Sequence, residues 1–164
     1  MDREILFRGK RTFCNEWVFG DLGHYPDRTK IDTHKNGQPW RGYDVFPETV
    51  GRFTGVYDTE LVKIFEGDIV KFLDYVCTVV FQDGCFGIAL DIRNAFDWDY
   101  IDEEMKEYAG TNQITACFND HFISLWEILW NFNCDQSVCN VVEVIGNIHD
   151  NPELLEGGVE NAAD

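Results

Sequence analysis

Residues 50 to 72, VGRFTGVYDTELVKIFEGDIVKF, constrain the fold more than any other stretch. Val50, Phe53 and Val56 lead into the polar turn Tyr57 to Glu60; Leu61, Ile64, Ile69, Val70 and Phe72 follow, with Gly67-Asp68 as punctuation before a β-branched run. Two short strands bracketing a turn is the expectation, and short strands joined by tight turns are how small β-barrels are written in sequence. Nothing in the stretch is equipped for chemistry. Asp68 after Gly67 is a residue that closes a turn by accepting backbone N–H bonds.

The flanking sequence extends this β reading. Residues 76 to 90, VCTVVFQDGCFGIAL, place Asp83-Gly84 between two β-rich runs, the signature of a two-residue hairpin loop. Upstream, Ile5 to Phe7 and Glu16 to Leu22 alternate around a polar turn near Cys14 and Asn15, which predicts a hairpin. Residues 23 to 39 hold Pro26, Asn36-Gly37 and Pro39 with Ile31 as the one aliphatic residue, and read as a loop. Trp40 to Val50 is extended but carries Pro47, which suits a sheet edge. Val141 to Ile148 is a strand broken at Asn151-Pro152, and the tail 156 to 164 is expected to fray.

Between these β segments, residues 91 to 140 read as an insertion. Asp91 to Glu107 holds seven acids against Arg93 and Lys106, and the acids at the front of Asp102 to Tyr108 favour a short helix. Residues 110 to 117 read as a loop entering a strand. Phe122 to Phe132 is apolar nearly all round, so its period does not separate helix from strand; Ser124 followed by Glu127 as a capping box favours a helical turn.

Charge and cysteine usage bound the function. Thirty acids against thirteen Lys and Arg give a formal charge of −17, which repels phosphate backbones, so non-specific nucleic-acid binding is not expected. The one basic cluster, Arg3, Arg8, Lys10 and Arg11, is too small to reverse that field. Neither a secretory pattern near residue 1 nor an apolar run of membrane length is seen, so the expectation is a cytoplasmic protein with no membrane partner and six reduced, mostly packed cysteines. No Gly-rich phosphate loop, nucleophile with its base, or metal-binding histidine pair occurs, and the reading is non-enzymatic, without catalytic residues or a cofactor. Cys117-x3-His121 and Cys134-x4-Cys139 hold four residues of zinc-ligand type, yet their spacing matches no zinc module well, and packed thiols with a loop histidine are the preferred reading.

Three blocks together, REILFRGKR with EWVFGDL, the 50–72 stretch, and EVIGNIHDNPELL, resemble the YopX proteins of bacteriophages and prophages. The resemblance covers residues 3 to 25, 43 to 90 and 141 to 155, and such proteins differ most in the region matching 91 to 140. It implies phage origin and a mainly β fold with an SH3-like barrel component; set on the segments above, the expected architecture is mainly β (α+β), with an N-terminal β-hairpin region (1–49), a small SH3-like β-barrel (50–155) carrying a partly helical insertion (91–140), and a flexible tail (156–164). No established activity or catalytic residue comes with it. One departure is local: family members usually carry Asn-Gly where Glu60 and Leu61 stand, so the turn here is expected to be longer or bulged.

The functional expectation therefore rests on the insertion. Tryptophan and tyrosine anchor protein interfaces, and the candidate surface comprises Asp97, Trp98, Asp99, Tyr100, Asp102, Glu103, Glu104, Trp126 and Trp130. A protein partner or self-association is the leading class. The alternative is an acidic DNA mimic occupying a groove built for phosphates.

Overall fold

A computed structural model of the chain describes residues 4–33, 41–109, 119–135 and 137–156. It is mainly β with three short helices, and it divides into two compact units, residues 1–55 and 56–164.

In the first unit, β1 (Phe7–Lys10) pairs antiparallel with β2 (Trp17–Tyr25), and Asn15, at φ 57°, closes the expected hairpin by donating its N–H to the Arg11 carbonyl at 2.9 Å. The loop expected over 23–39 is corrected in its described part. β2 runs on to Tyr25, turns at Pro26-Asp27, and pairs with β3 (Arg28–Thr33), which pairs in turn with β4 (Arg41–Asp44). With one aliphatic residue, β3 offers almost no sequence signal; it is held by ladders on both sides and by Ile31, which is fully buried. The Asn36-Gly37 turn lies outside the described residues. β4 is the edge strand, and Pro47 opens a 3-10 turn, Pro47–Thr49, after it.

β5 (Gly51–Tyr57) crosses into the second unit, where β6 (Lys63–Phe65) is its neighbour. A five-stranded antiparallel sheet follows, in the order β10-β9-β8-β7-β11: β7 (Asp68–Phe72), β8 (Tyr75–Gln82), β9 (Cys85–Ala89), β10 (Phe122–Ser124) and β11 (Val142–Asn147). The 50–72 stretch thus carries three strands in place of the expected two, and the strands form two open sheets with no closed barrel among the described residues. Asp83 and Gly84, at φ 52° and 84°, make the predicted β8–β9 turn. The buried Asp68 accepts the Phe65 N–H at 2.7 Å, closing the β6–β7 turn as expected.

The β5–β6 turn is built by Asp58. Its side chain is buried, with Oδ1 accepting the N–H of Glu60 (2.9 Å) and of Val62 (2.8 Å), and Oδ2 accepting the N–H of Val144 on β11 (3.0 Å). Thr59 adds a bond from its N–H to the Val142 carbonyl at 3.2 Å. Five residues fill the turn, and only Leu61 of the Glu60-Leu61 pair takes positive φ, at 63°. Leu61 is exposed, so its side chain gains little there while its backbone sits in a conformation that costs about 1–2 kcal/mol for an L-residue. Leu61→Gly is expected to raise stability by about 1 kcal/mol in urea unfolding, once the greater unfolded-state freedom of glycine is subtracted. A loss of stability would show that the leucine makes a contact worth more than its strain.

The segment 91 to 140 is not an appendage to this unit. It contributes α1 (Trp98–Ala109), β10 and α2 (Leu125–Asn131), and Phe96, Ile101, Met105, Leu125, Ile128 and Phe132 belong to the same buried cluster as Ile64, Val70, Phe72, Val79, Ile88 and Val142. A final turn of helix, α3 (Glu153–Glu156), follows β11. No helix is long and apolar enough to cross a membrane among the described residues.

Candidate interaction surface

The helices α1 and α2 carry the residues singled out above, and their phases decide which of them face solvent. α1 begins at Trp98, earlier than the acid-rich front at Asp102 suggests, because Asp97 is the cap: its Oδ1 accepts the N–H of Asp99 (3.1 Å) and of Tyr100 (3.2 Å). Ile101 and Met105, one turn apart, turn inward and are buried. Asp99, Glu103 and Glu107 follow one another at four-residue spacing on the exposed side, while Asp102 pairs with Lys106 at 2.7 Å and Glu104 is half-buried.

The aromatics of α1 serve the fold. The Trp98 indole packs against the core and donates its Nε1–H to Asp120 Oδ1 at 3.0 Å. Tyr100 does the same on the other side, its hydroxyl donating to Asp74 Oδ2 at 2.7 Å; burial, then that bond, holds the phenol protonated well above its ordinary range. Neither ring is free to anchor a partner without leaving these bonds.

α2 is different. Phe122 to Phe132 resolves into a short strand followed by a helix, and the switch falls at Ser124. Its Oγ accepts the Glu127 N–H at 3.1 Å, and Glu127 Oε2 accepts the Ser124 N–H at 3.0 Å, the capping box expected from the sequence. At the other end Asn133 takes φ 50°, its N–H reaching the Trp130 carbonyl (3.3 Å) and the Cys134 N–H reaching Leu129 (3.0 Å), the paired bonds of a Schellman ending. Both ends being fixed, the phase is fixed: Leu125 and Ile128 go into the core, and Trp126 and Trp130 point out.

Those two indoles are 61% and 66% exposed and stack on each other, ring centroids 5.9 Å apart and planes 13° from parallel. Filling the core, the default reading for tryptophans in a small β protein, does not apply to them. The four-residue spacing was the available signal; counted from the Ser124 cap, it puts both rings on the face opposite Leu125 and Ile128.

Of the four residues of zinc-ligand type, three are described. Cys117 lies outside the described residues; His121 Nδ1 is 2.6 Å from the Asn94 carbonyl; Cys134 and Cys139 have sulfurs 4.0 Å apart. Among the described residues no group of three or more His, Cys, Asp or Glu side chains is arranged to hold a metal. The basic cluster is spent on local contacts: the Arg8 guanidinium lies 4.7 Å over the Trp17 ring and that of Arg11 4.3 Å over Tyr43, while Arg3 lies outside the described residues.

A family model described as YopX protein matches residues 6–156. The crystal structure of protein EF1440 from Enterococcus faecalis is similar over 94% of this chain and 99% of its own, at 19% sequence identity and a TM-score of 0.44. No curated protein matches the chain.

Proposed function

The chain belongs to the YopX family, and from that premise we propose that it is a non-enzymatic phage or prophage accessory protein that binds a basic protein partner through Trp126 and Trp130. The stacked, solvent-facing indole pair carries this reading. Two tryptophans held on a capped helix offer large apolar area at little entropic cost, the composition and pre-organisation of interface hot spots. Charge selects the kind of partner. Two copies at −17 repel one another, whereas a basic protein is drawn in, and its approach weakens as salt screens the attraction.

The test is capture of basic proteins from infected host cells by the wild type and by a Trp126→Ala/Trp130→Ala variant, with sedimentation of each protein alone. The double variant is expected to keep its circular dichroism and lose roughly 100-fold or more in affinity for the captured partner. Equal capture by both proteins, or a self-associated wild type with no partner, would overturn the proposal. A cytoplasmic location goes with this reading, and fractionation of expressing cells tests it.

The SH3-like component is read in the β7-β8-β9 meander with β11 returning beside β7. Long-range amide contacts joining β6 to that sheet would support it, and their absence would leave two separate sheets. A DNA mimic remains the second reading, drawing on the exposed row Asp99, Glu103 and Glu107, whose steps along the helix are about 6 Å. Failure to compete with DNA for a captured DNA-binding protein would remove it.

A further inference from the structure

Cys134 and Cys139 bracket the link between α2 and β11, and each is held by a different element. The Schellman ending places Cys134 directly after Asn133. Cys139 is fastened to the end of β5: its N–H donates to the Tyr57 carbonyl at 2.8 Å, Tyr57 returns a bond to the Ser137 carbonyl at 2.8 Å, and Val138 bridges Tyr57. With both attachments in place the sulfurs are 4.0 Å apart, and the Cys134 thiol also reaches Asn140 Oδ1 at 3.0 Å. Exposure separates the two roles. Cys134 is half-buried and open to a small reagent, while Cys139 is fully buried behind it.

We propose that this pair is an oxidisable dithiol in which Cys134 attacks and Cys139 resolves, the oxidant being a low-molecular-weight disulfide of the glutathione class. The Cys134 thiolate bonds to one sulfur of the oxidant, breaking its S–S bond and releasing one thiol after protonation. Cys139, giving up its proton, then attacks Cys134 Sγ and expels the second thiol. Two protein thiols are oxidised, one external disulfide is reduced to two thiols, and both protons leave with them. A disulfide needs its sulfurs about 2.05 Å apart, so the 4.0 Å between them must close by about 2 Å on oxidation.

The electrostatics agree with this order of attack. The side-chain hydrogen bond with Cys139, and then that with the Asn140 backbone, lower the Cys134 thiol to about 7 against opposing desolvation. The same hydrogen bond, with burial, pushes Cys139 upward and keeps it protonated until it is needed. Thiolate therefore accumulates on the accessible sulfur as pH rises through about 7, and reaction slows below it. The contrast within this chain is Cys77, whose thiol burial pushes to about 12.

The experiment treats the full chain carrying Cys14→Ser, which removes the one exposed thiol among the described residues, with oxidised glutathione at neutral pH, followed by alkylation and peptide mass mapping. Loss of two hydrogens from a peptide linking Cys134 to Cys139, with both resistant to alkylation after unfolding, is the expected result. Cys139→Ser should trap a stable glutathione adduct on Cys134, and Cys134→Ser should leave Cys139 reduced. A wild-type Cys134 that keeps its glutathione as the Cys139→Ser variant does, or that stays unmodified, would overturn the proposal.

Discussion

Asp58→Ala is expected to destabilise the second unit by about 3–5 kcal/mol, with urea unfolding shifted to a lower midpoint at unchanged slope. The magnitude follows from what one carboxylate holds. Three backbone N–H groups, those of Glu60, Val62 and Val144, donate to its two oxygens, and the side chain is buried, so water cannot step in without opening the turn. Bonds from N–H groups to a charged acceptor contribute about 1.5–3 kcal/mol each, and losing three together falls short of their sum because the turn relaxes. Asp58→Asn separates the two oxygens. It keeps one acceptor for Glu60 and Val62 and turns an NH2 toward Val144, so a loss of about 1–2 kcal/mol is expected. If asparagine matches aspartate, the bond to β11 contributes nothing.

Phe72→Ala should cost a similar amount, about 3–5 kcal/mol, and tests a different claim. Phe72 has no exposed surface, and its ring meets Phe96 at 6.4 Å and Phe132 at 5.6 Å, both edge-on, with Tyr75 stacked at 6.5 Å. Phe96 precedes α1 and Phe132 ends α2, so one side chain on β7 supports the sheet and the helical segment together. The cavity left by truncation lies between them, and the two are expected to melt in one transition. Urea unfolding followed by the amide protons of β7 and β8, and separately by those of α1 and α2, should give the same midpoint. Separate midpoints would make residues 91 to 140 an independently stable insertion and refute the single core.

The β8–β9 hairpin, the Asp68 turn and the start of α2 were legible in the sequence because each is specified by residues within four positions of one another: Asp83-Gly84, Phe65 with Asp68, Ser124 with Glu127. β3 was not, since one buried isoleucine and two neighbouring ladders hold it, and a ladder leaves no mark on the strand it holds. Asp58 resembled any turn aspartate until its partner 86 positions along the chain came beside it. On the candidate surface, sequence located the aromatic segments but not their facing. Trp98 and Tyr100 turned inward toward Asp120 and Asp74, acceptors far away in the chain, whereas the outward facing of Trp126 and Trp130 followed from the local cap.

The Asp58 turn has a consequence for how copies of the protein behave when crowded. β11 ends its sheet, and an unpaired strand edge is a template onto which another chain can add. Here the outward Val144 N–H and Val142 carbonyl are already occupied by Asp58 and Thr59, so a foreign strand finds no ladder to extend at those positions. The opposite edge, β10, is three residues long and becomes helix at once. Asp58→Ala should therefore scatter light at high concentration below its unfolding midpoint; a variant that stays clear there would show that β11 is shielded from polymerisation by something other than this turn.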